Sequence, residues 1–240
     1  MSRLLVDSIV SDSAATDLTL GASGDTVDIT GDHISVNTIK DSGGNTIFTS
    51  NGSGTLSSLQ GEFTGGPTLL TTNAETNATT SDFTSKIDST YKLYIFKFIN
   101  INPATDETFF QVQFNAAGAS GYDEAITSSY FGSAHKEDGS GGEVNYMTAY
   151  DQADAGGFQY LSRKTGNGAD ESASGTMWLF NPSNATYVKH FYSRMNNYYH
   201  DDYSMDTFVA GYINTTTAID DVQFKMSSGN FDGTIKMYGL

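Results

Sequence analysis

The sequence predicts an all-β protein: a C-terminal jelly-roll-type β-sandwich preceded by a thin N-terminal arm or shaft of short β segments. Three observations carry this expectation. Charged residues make up only 17% of the chain while aromatics reach 12%, against roughly 25% charged residues in an average globular protein. The 25 Gly against 3 Pro suit short strands joined by tight turns. Runs of strand character follow one another from about Phe63 to the end, without a helical period among them.

The arm comes first, at residues 1–62. Residues 1–60 hold one of the chain's 30 aromatics, Phe48, too few bulky side chains to build a core within one copy. Short apolar steps nevertheless recur at Leu18-Thr-Leu20, Val27-Asp-Ile29, Ile34-Ser-Val36 and Ile47-Phe48, separated by Gly21, Gly24, Gly31 and the turn Asp41–Asn45. Such steps suit an arm in which Leu18, Leu20, Val27, Ile29, Ile34 and Val36 are buried between copies, and a homotrimer is expected. A flexible Ser/Gly tail is the other reading, above all over Thr49–Ser58.

Residues 63–240 carry the sandwich. Strands are expected at Thr68–Thr72, Tyr91–Ile101, Thr108–Asn115, Glu143–Tyr150 and Phe158–Ser162. Further strands are expected at Gly175–Asn181, Tyr187–Met195, Tyr203–Ile213, Ile219–Met226 and Gly233–Leu240, the last running to the C-terminus. Tyr91–Ile101 is apolar on both faces and predicts a central strand covered on both sides. Val222–Met226 and Thr234–Tyr238 alternate between one wet and one dry face. Together these predict two packed sheets.

Charge and composition exclude several functions. With 12 Lys+Arg, 28 Asp+Glu and a net charge of −16, the chain lacks the clustered cations that bind nucleic acid. It has no Cys, so neither a disulfide framework nor a thiolate zinc site is available. No apolar run is long enough to span a bilayer, and the opening residues lack the apolar core of a secretory signal, which places synthesis and folding in the cytoplasm. No phosphate-binding loop, nucleophile elbow or zinc-spaced His pair is present. His190, inside a strand-like run, is read as structural. The acidic pairs Asp123-Glu124, Glu137-Asp138, Asp201-Asp202 and Asp220-Asp221 are read as solvated turns. No cofactor, metal or catalytic residue is expected, and the chain is not read as an enzyme.

The most unusual stretch is Ser193–Ser204, where tyrosines, Asn, Asp, a His and an Arg share a link between two strands. Tyr rings give flat apolar area with a polar tip, and Asn and Asp accept hydrogen bonds from hydroxyls, which suits sugar or protein surfaces. Tyr198, Tyr199, His200, Asp201, Asp202 and Tyr203 are therefore the candidate contact residues. The competing reading is a tyrosine cap over one end of the sandwich.

Three phrases resemble a β-rich domain of tailed marine bacteriophages, including cyanophages: Ile87–Glu107, Gly175–Phe191 and Ala218–Leu240. Thr38–Ser58 is similar to linking segments that precede such domains in fibre proteins. The resemblance implies a virion structural or tail-fibre-associated protein, with no catalytic residues to carry over. A tail fibre would attach to other virion proteins through residues 1–62 and present the sandwich to a host glycan or protein. The alternatives are a capsid decoration or head-fibre protein and a glycan depolymerase, for which so short a chain leaves little room. A Cys-free, acidic sandwich agrees with assembly inside a cell and exposure outside it.

Overall fold

In the computed structural model the described residues are 38–41, 43–50, 52–53, 56–59 and 66–240. Leu18, Leu20, Val27, Ile29, Ile34 and Val36 lie outside them. The chain divides into two units, Met1–Phe63 and Thr64–Leu240.

In the first unit, β1 (Thr38–Lys40), β2 (Thr46–Ser50) and β3 (Leu56–Leu59) form an antiparallel meander in that order. The Asp41 carboxylate builds the first turn. Its Oδ1 accepts from the backbone N–H groups of Gly43 (2.9 Å) and Asn45 (2.8 Å), and Oδ2 accepts from the Asn45 side chain. Gly44 takes the positive φ of 82° that closes it, a conformation in which a Cβ is strained.

The second unit is an all-β sandwich. β4 (Thr68–Ala78), β5 (Ser81–Phe83), β6 (Leu93–Pro103) and β7 (Phe110–Ala116) alternate between two antiparallel sheets. β8 (Ile126–Lys136), β9 (Gly142–Tyr146) and β10 (Ala153–Ala155) then stay in the larger sheet, with a 3-10 turn at Thr148–Tyr150 between the last two. β11 (Gln159–Tyr160) crosses to the smaller sheet, and β12 (Ala173–Phe180) returns. β13 (Lys189–Tyr199) and β14 (Tyr203–Ile213) extend the larger sheet as a hairpin before β15 (Ile219–Met226) and β16 (Phe231–Gly239) alternate again. The nine-stranded sheet runs β10-β8-β14-β13-β12-β6-β16-β4, with β9 beside β8, and the four-stranded sheet runs β11-β7-β15-β5.

Aromatic rings fill the space between the sheets. Phe98 of the large sheet meets Phe110 and Phe224 of the small one at 5.2 and 5.1 Å between ring centroids. Phe96 and Phe83 meet Phe224 from two other sides. All of these rings are buried. Val222, Phe224 and Met226, and likewise Ile235 and Met237, form the dry faces that alternation assigns to β15 and β16.

Four sequence expectations are corrected. β8 was not anticipated: it reads ITSSYFGSAHK, mostly small and polar residues that resemble a turn. It pairs with β14 over its whole length. A Cβ at its Gly132 would lie 2.6 Å from the Asp206 carbonyl, so this strand needs small residues to approach β14.

β6 is central, between β12 and β16, but its outer face is not covered throughout: Lys97 and Ile99 are exposed while Tyr94, Phe96 and Phe98 are buried. A bulge at Asn100 (φ 51°) shifts the alternation, so that Ile101 turns inward, 0% exposed. Glu143–Tyr150 is not one strand, since β9 stops at Tyr146 and the 3-10 turn follows. His190 is not packed inside the fold; it lies exposed on the outer face of β13.

Candidate functional site

Strand alternation gives the nine-stranded sheet two faces of different fate. The inward residues of β6, β12 and β16 are covered by the small sheet. Under β8, β13 and β14 the cover is largely the segment around β11, with Phe114 of β7 against Phe191 of β13. Thr207 Oγ1 donates to the Leu161 carbonyl (2.8 Å), Asn197 Nδ2 to the Arg163 carbonyl (2.9 Å), and Ser128 Oγ to Gln159 Oε1 (2.5 Å). Because that cover presents backbone carbonyls, the inward side chains there include Asn197 and Thr207, while Ser193 donates to the Thr176 carbonyl of the neighbouring strand.

The outward face carries two cross-strand rows. In the first, Tyr192 of β13 opposes Trp178 of β12, which opposes Ile95 of β6, then Tyr238 of β16 and Leu69 of β4. The Trp178 and Tyr192 rings stack at 4.5 Å, and Phe180 stacks on Tyr192 at 5.6 Å. In the second row Phe131 of β8 stacks on Phe208 of β14 at 5.0 Å, and the Arg194 guanidinium lies 4.8 Å above the Phe208 ring. Arg194 also grips Asp206 through two bonds, from Nε (3.1 Å) and Nη2 (2.8 Å). The row continues through Thr176 to Lys97 and then Lys236, which stand directly opposite each other.

Several grooves score this face, and two of them lie beside Phe180 and His190. One of about 470 Å³ is floored by Ala210 and Gly211, with Thr127, Ser129 and Tyr212 on one side and Phe180, His190 and Tyr192 on the other. A second, about 530 Å³, shares Phe180 and His190 and adds Asn184, Thr186 and Tyr187. Small residues at 210 and 211 between tall aromatic neighbours create the depression. The arrangement offers ring faces, hydroxyls and cations to a bound molecule.

The sequence-selected tyrosines sit elsewhere, at one end of the sheet. Tyr198 and Tyr199 belong to β13 and Tyr203 opens β14, so the link is only the turn His200–Asp202. Asp202 adopts φ 65°. The Tyr198 hydroxyl donates to Asp202 Oδ1 (3.1 Å). Desolvation first, and then that carboxylate, pushes the Tyr198 phenol up to about 12.

Tyr199 stands between His200 (4.4 Å) and Tyr203 (5.9 Å), with the Arg163 guanidinium 5.4 Å above its ring. Burial raises its phenol. His200 Nδ1 lies 3.5 Å from Glu107 and 3.4 Å from Asp201. Glu107 also binds Lys164 at 2.8 Å, a bond that holds its carboxyl below the usual range. Tyr199, Asp201 and Tyr203 line a cavity of about 380 Å³ with Glu143 and Arg163. The structure thus brings all six sequence-selected residues together, in a tied hairpin end with Asp201 and Asp202 exposed.

Sequence reasoning missed Trp178, Phe180, His190, Tyr192, Lys97 and Lys236 as a group. A signal was present: Met177-Trp-Leu-Phe180 and Phe191-Tyr-Ser-Arg194 carry large apolar or aromatic residues on both faces of their strands, more than one core can bury. Among the described residues, no cluster of three His, Cys, Asp or Glu is arranged to hold a metal ion, and no helix is long and apolar enough to cross a membrane. No family model matches the chain, and neither a curated protein nor a solved structure matches it.

Proposed function

We propose that the protein is a recognition component of a tailed-phage virion, a tail fibre or fibre-like protein without enzymatic activity. Residues 1–62 attach it to other virion proteins and assemble it, as a homotrimer, and the C-terminal sandwich meets the host. The observation that carries the recognition part is the outer face of the large sheet. Trp178, Tyr192, Phe180 and Phe131 stand on it partly exposed, and large exposed apolar patches mark interaction surfaces.

The wiring of the sandwich supports the same reading. The strands β4-β16-β6-β12 over β5-β15-β7-β11 follow the order of two interlocked Greek keys, the jelly roll of capsid and lectin domains. β8–β10 and β13–β14 are then insertions that widen one sheet. The virion assignment is supported by the resemblance of Ile87–Glu107, Gly175–Phe191 and Ala218–Leu240 to phage domains.

The test is a gold label on the C-terminus of the protein in intact virions, with copy number from quantitative mass spectrometry. Label at the tail in a few tens of copies or fewer is expected. Label over the capsid in hundreds of copies would replace the fibre by a decoration protein. Sedimentation of the isolated chain as a compact monomer at micromolar concentration would remove the trimer.

A further inference from the structure

We propose that the outer face of the nine-stranded sheet binds an anionic polysaccharide, its acid groups at the Lys97–Lys236 pair and its sugar rings against Trp178 and Tyr192. This rests on the recognition reading above and names the ligand class.

The lysine pair is the central observation. Lys97 and Lys236 are directly cross-strand, about 5 Å apart at Cβ, where like charges repel. Neither side chain forms an ion pair or a hydrogen bond among the described residues. In a chain with 28 Asp+Glu and only 12 Lys+Arg, acidic neighbours would be the cheap way to quiet such a pair. The outward positions of β4, β16, β6, β12, β13, β14 and β8 supply only Asp206, gripped by Arg194, and Asp232, whose carboxylate accepts from the Asn77 N–H at 2.6 Å. The face is therefore locally cationic on a protein of net charge −16, and the complement of an unpaired cation pair is an anion.

The neighbours decide what kind of anion. Trp178 opposes Ile95 while Thr176 opposes Lys97, so the Trp178–Tyr192 stack begins one diagonal step from Lys97, roughly 7–8 Å away, with Lys236 one strand further on. The Trp178 indole N–H and the Tyr192 hydroxyl make no hydrogen bond within the described residues, and both stand beside solvent. Ring faces with idle polar tips next to ammonium groups match a chain of sugars bearing carboxylates or sulfates. Nucleic acid fits less well, because its affinity depends on many cations neutralising many phosphates. A second copy laid on this face fits less well too, since a symmetric contact sets Lys97 and Lys236 against the same lysines of the other copy.

Calorimetric titration of the full chain with four probes tests this: oligogalacturonate, chondroitin sulfate, dextran and oligothymidylate. Binding of either acidic saccharide is expected, weakening about tenfold or more between about 25 and 300 mM salt as the charges are screened, with dextran at least about tenfold weaker. The two acidic probes separate carboxylate from sulfate preference. The double variant Lys97→Gln, Lys236→Gln should lose about tenfold or more in affinity with an undiminished thermal midpoint. Tyr192→Ala should weaken all saccharides, and Trp178→Phe only slightly.

Dextran bound as tightly as the acidic probes, or a lysine variant that binds normally, would overturn the acid preference while leaving the recognition reading standing. Equal binding of oligothymidylate would reduce the face to a general polyanion site and overturn the saccharide assignment. Sedimentation showing self-association that the lysine variant abolishes would make the face an interface between copies and overturn the proposal. The recognition reading is judged separately, by adsorption of phage in excess soluble protein.

Discussion

The inner and outer faces of the nine-stranded sheet are cut from the same strands, residue by residue, yet they meet opposite surroundings. On β12, Met177 and Leu179 are fully buried while Trp178 and Phe180 between and after them reach solvent. On β13, Phe191 and Met195 are buried while Tyr192 is 42% exposed. On β12 large apolar residues stand on both faces, so hydrophobicity alone does not explain the difference there. Packing partners do: a second sheet covers one face, while Trp178, Phe180 and Tyr192 on the other keep access to solvent. A surface kept aromatic without cover is better explained by what it binds than by stability.

That contrast breaks most visibly at the centre of the core. Phe224 touches Phe83, Phe96, Phe98 and Phe110 at ring-centroid distances of 6.0, 5.3, 5.1 and 5.7 Å. Phe224→Ala should cost about 3–5 kcal/mol, the range for truncating a buried ring, read as a large fall in chemical denaturation midpoint. A loss near 1 kcal/mol would mean the two sheets do not share this core.

The next effect belongs to pH. Burial raises the phenols of Tyr94 and Tyr130, both 0% exposed on the inner side. A phenol with a raised folded pKa contributes stability that is complete below its unfolded value near 10 and is lost as pH rises through the folded value. Above pH 10 each such phenol should therefore remove about 1.4 kcal/mol per pH unit until it ionises in the fold. Tyr130→Phe should flatten this alkaline decline, and an unchanged slope would show that Tyr130 does not resist ionisation in the native state.

Much of this architecture was legible in the sequence, and the losses have physical causes. β14 and β15 were expected at the boundaries they have, because alternating Val, Phe, Ile and Met leave few other options. β8 was hidden because closeness to β14 demands Gly132 and small neighbours, which carry no hydrophobic period. The turn from Ile99 to Ile101 was hidden because a bulge at Asn100 moves one residue across the sheet without a signature in composition. The outer-face group was hidden for a different reason. Alternation tells which residues share a face, but where both faces are rich in rings it does not tell which one a second sheet will cover. The tyrosines near Asp202 stood out by crowding, whereas Trp178, Tyr192, Lys97 and Lys236 are far apart in the chain and meet only through strand pairing.

A smaller effect sharpens the comparison from the outer side. Trp178 gains from its stack on Tyr192, a geometry worth about 0.5–1.5 kcal/mol beyond area, but its environment is half open. Trp178→Ala should cost about 1–2 kcal/mol, well below Phe224→Ala. Equal costs at the two positions would make the outer row a structural layer and take away its claim to be a recognition surface.

The smallest effect has the opposite sign. Directly opposed like charges destabilise a strand pair by about 0.2–1 kcal/mol relative to neutral partners, and Lys97 faces Lys236 with no acid beside it. Replacing either one, Lys97→Gln or Lys236→Gln, should therefore raise the denaturation midpoint slightly at low salt. The gain should fade as salt screens the pair, since the Debye length falls from about 30 Å at 0.01 M to about 10 Å at 0.1 M. Replacing both should add little beyond replacing one, because the first substitution already removes the repulsion. A double variant that gains twice the single would mean that each lysine is opposed by its own surroundings rather than by the other. A variant that loses stability at every salt concentration would mean that the two aliphatic stems pack usefully on Ile95, Ile99 and Thr176, and that the pair belongs with the inner face in kind: kept for packing, with its charge incidental. Gain at low salt with loss of acidic-saccharide binding would instead separate the two faces by purpose, one selected for stability and the other held against it.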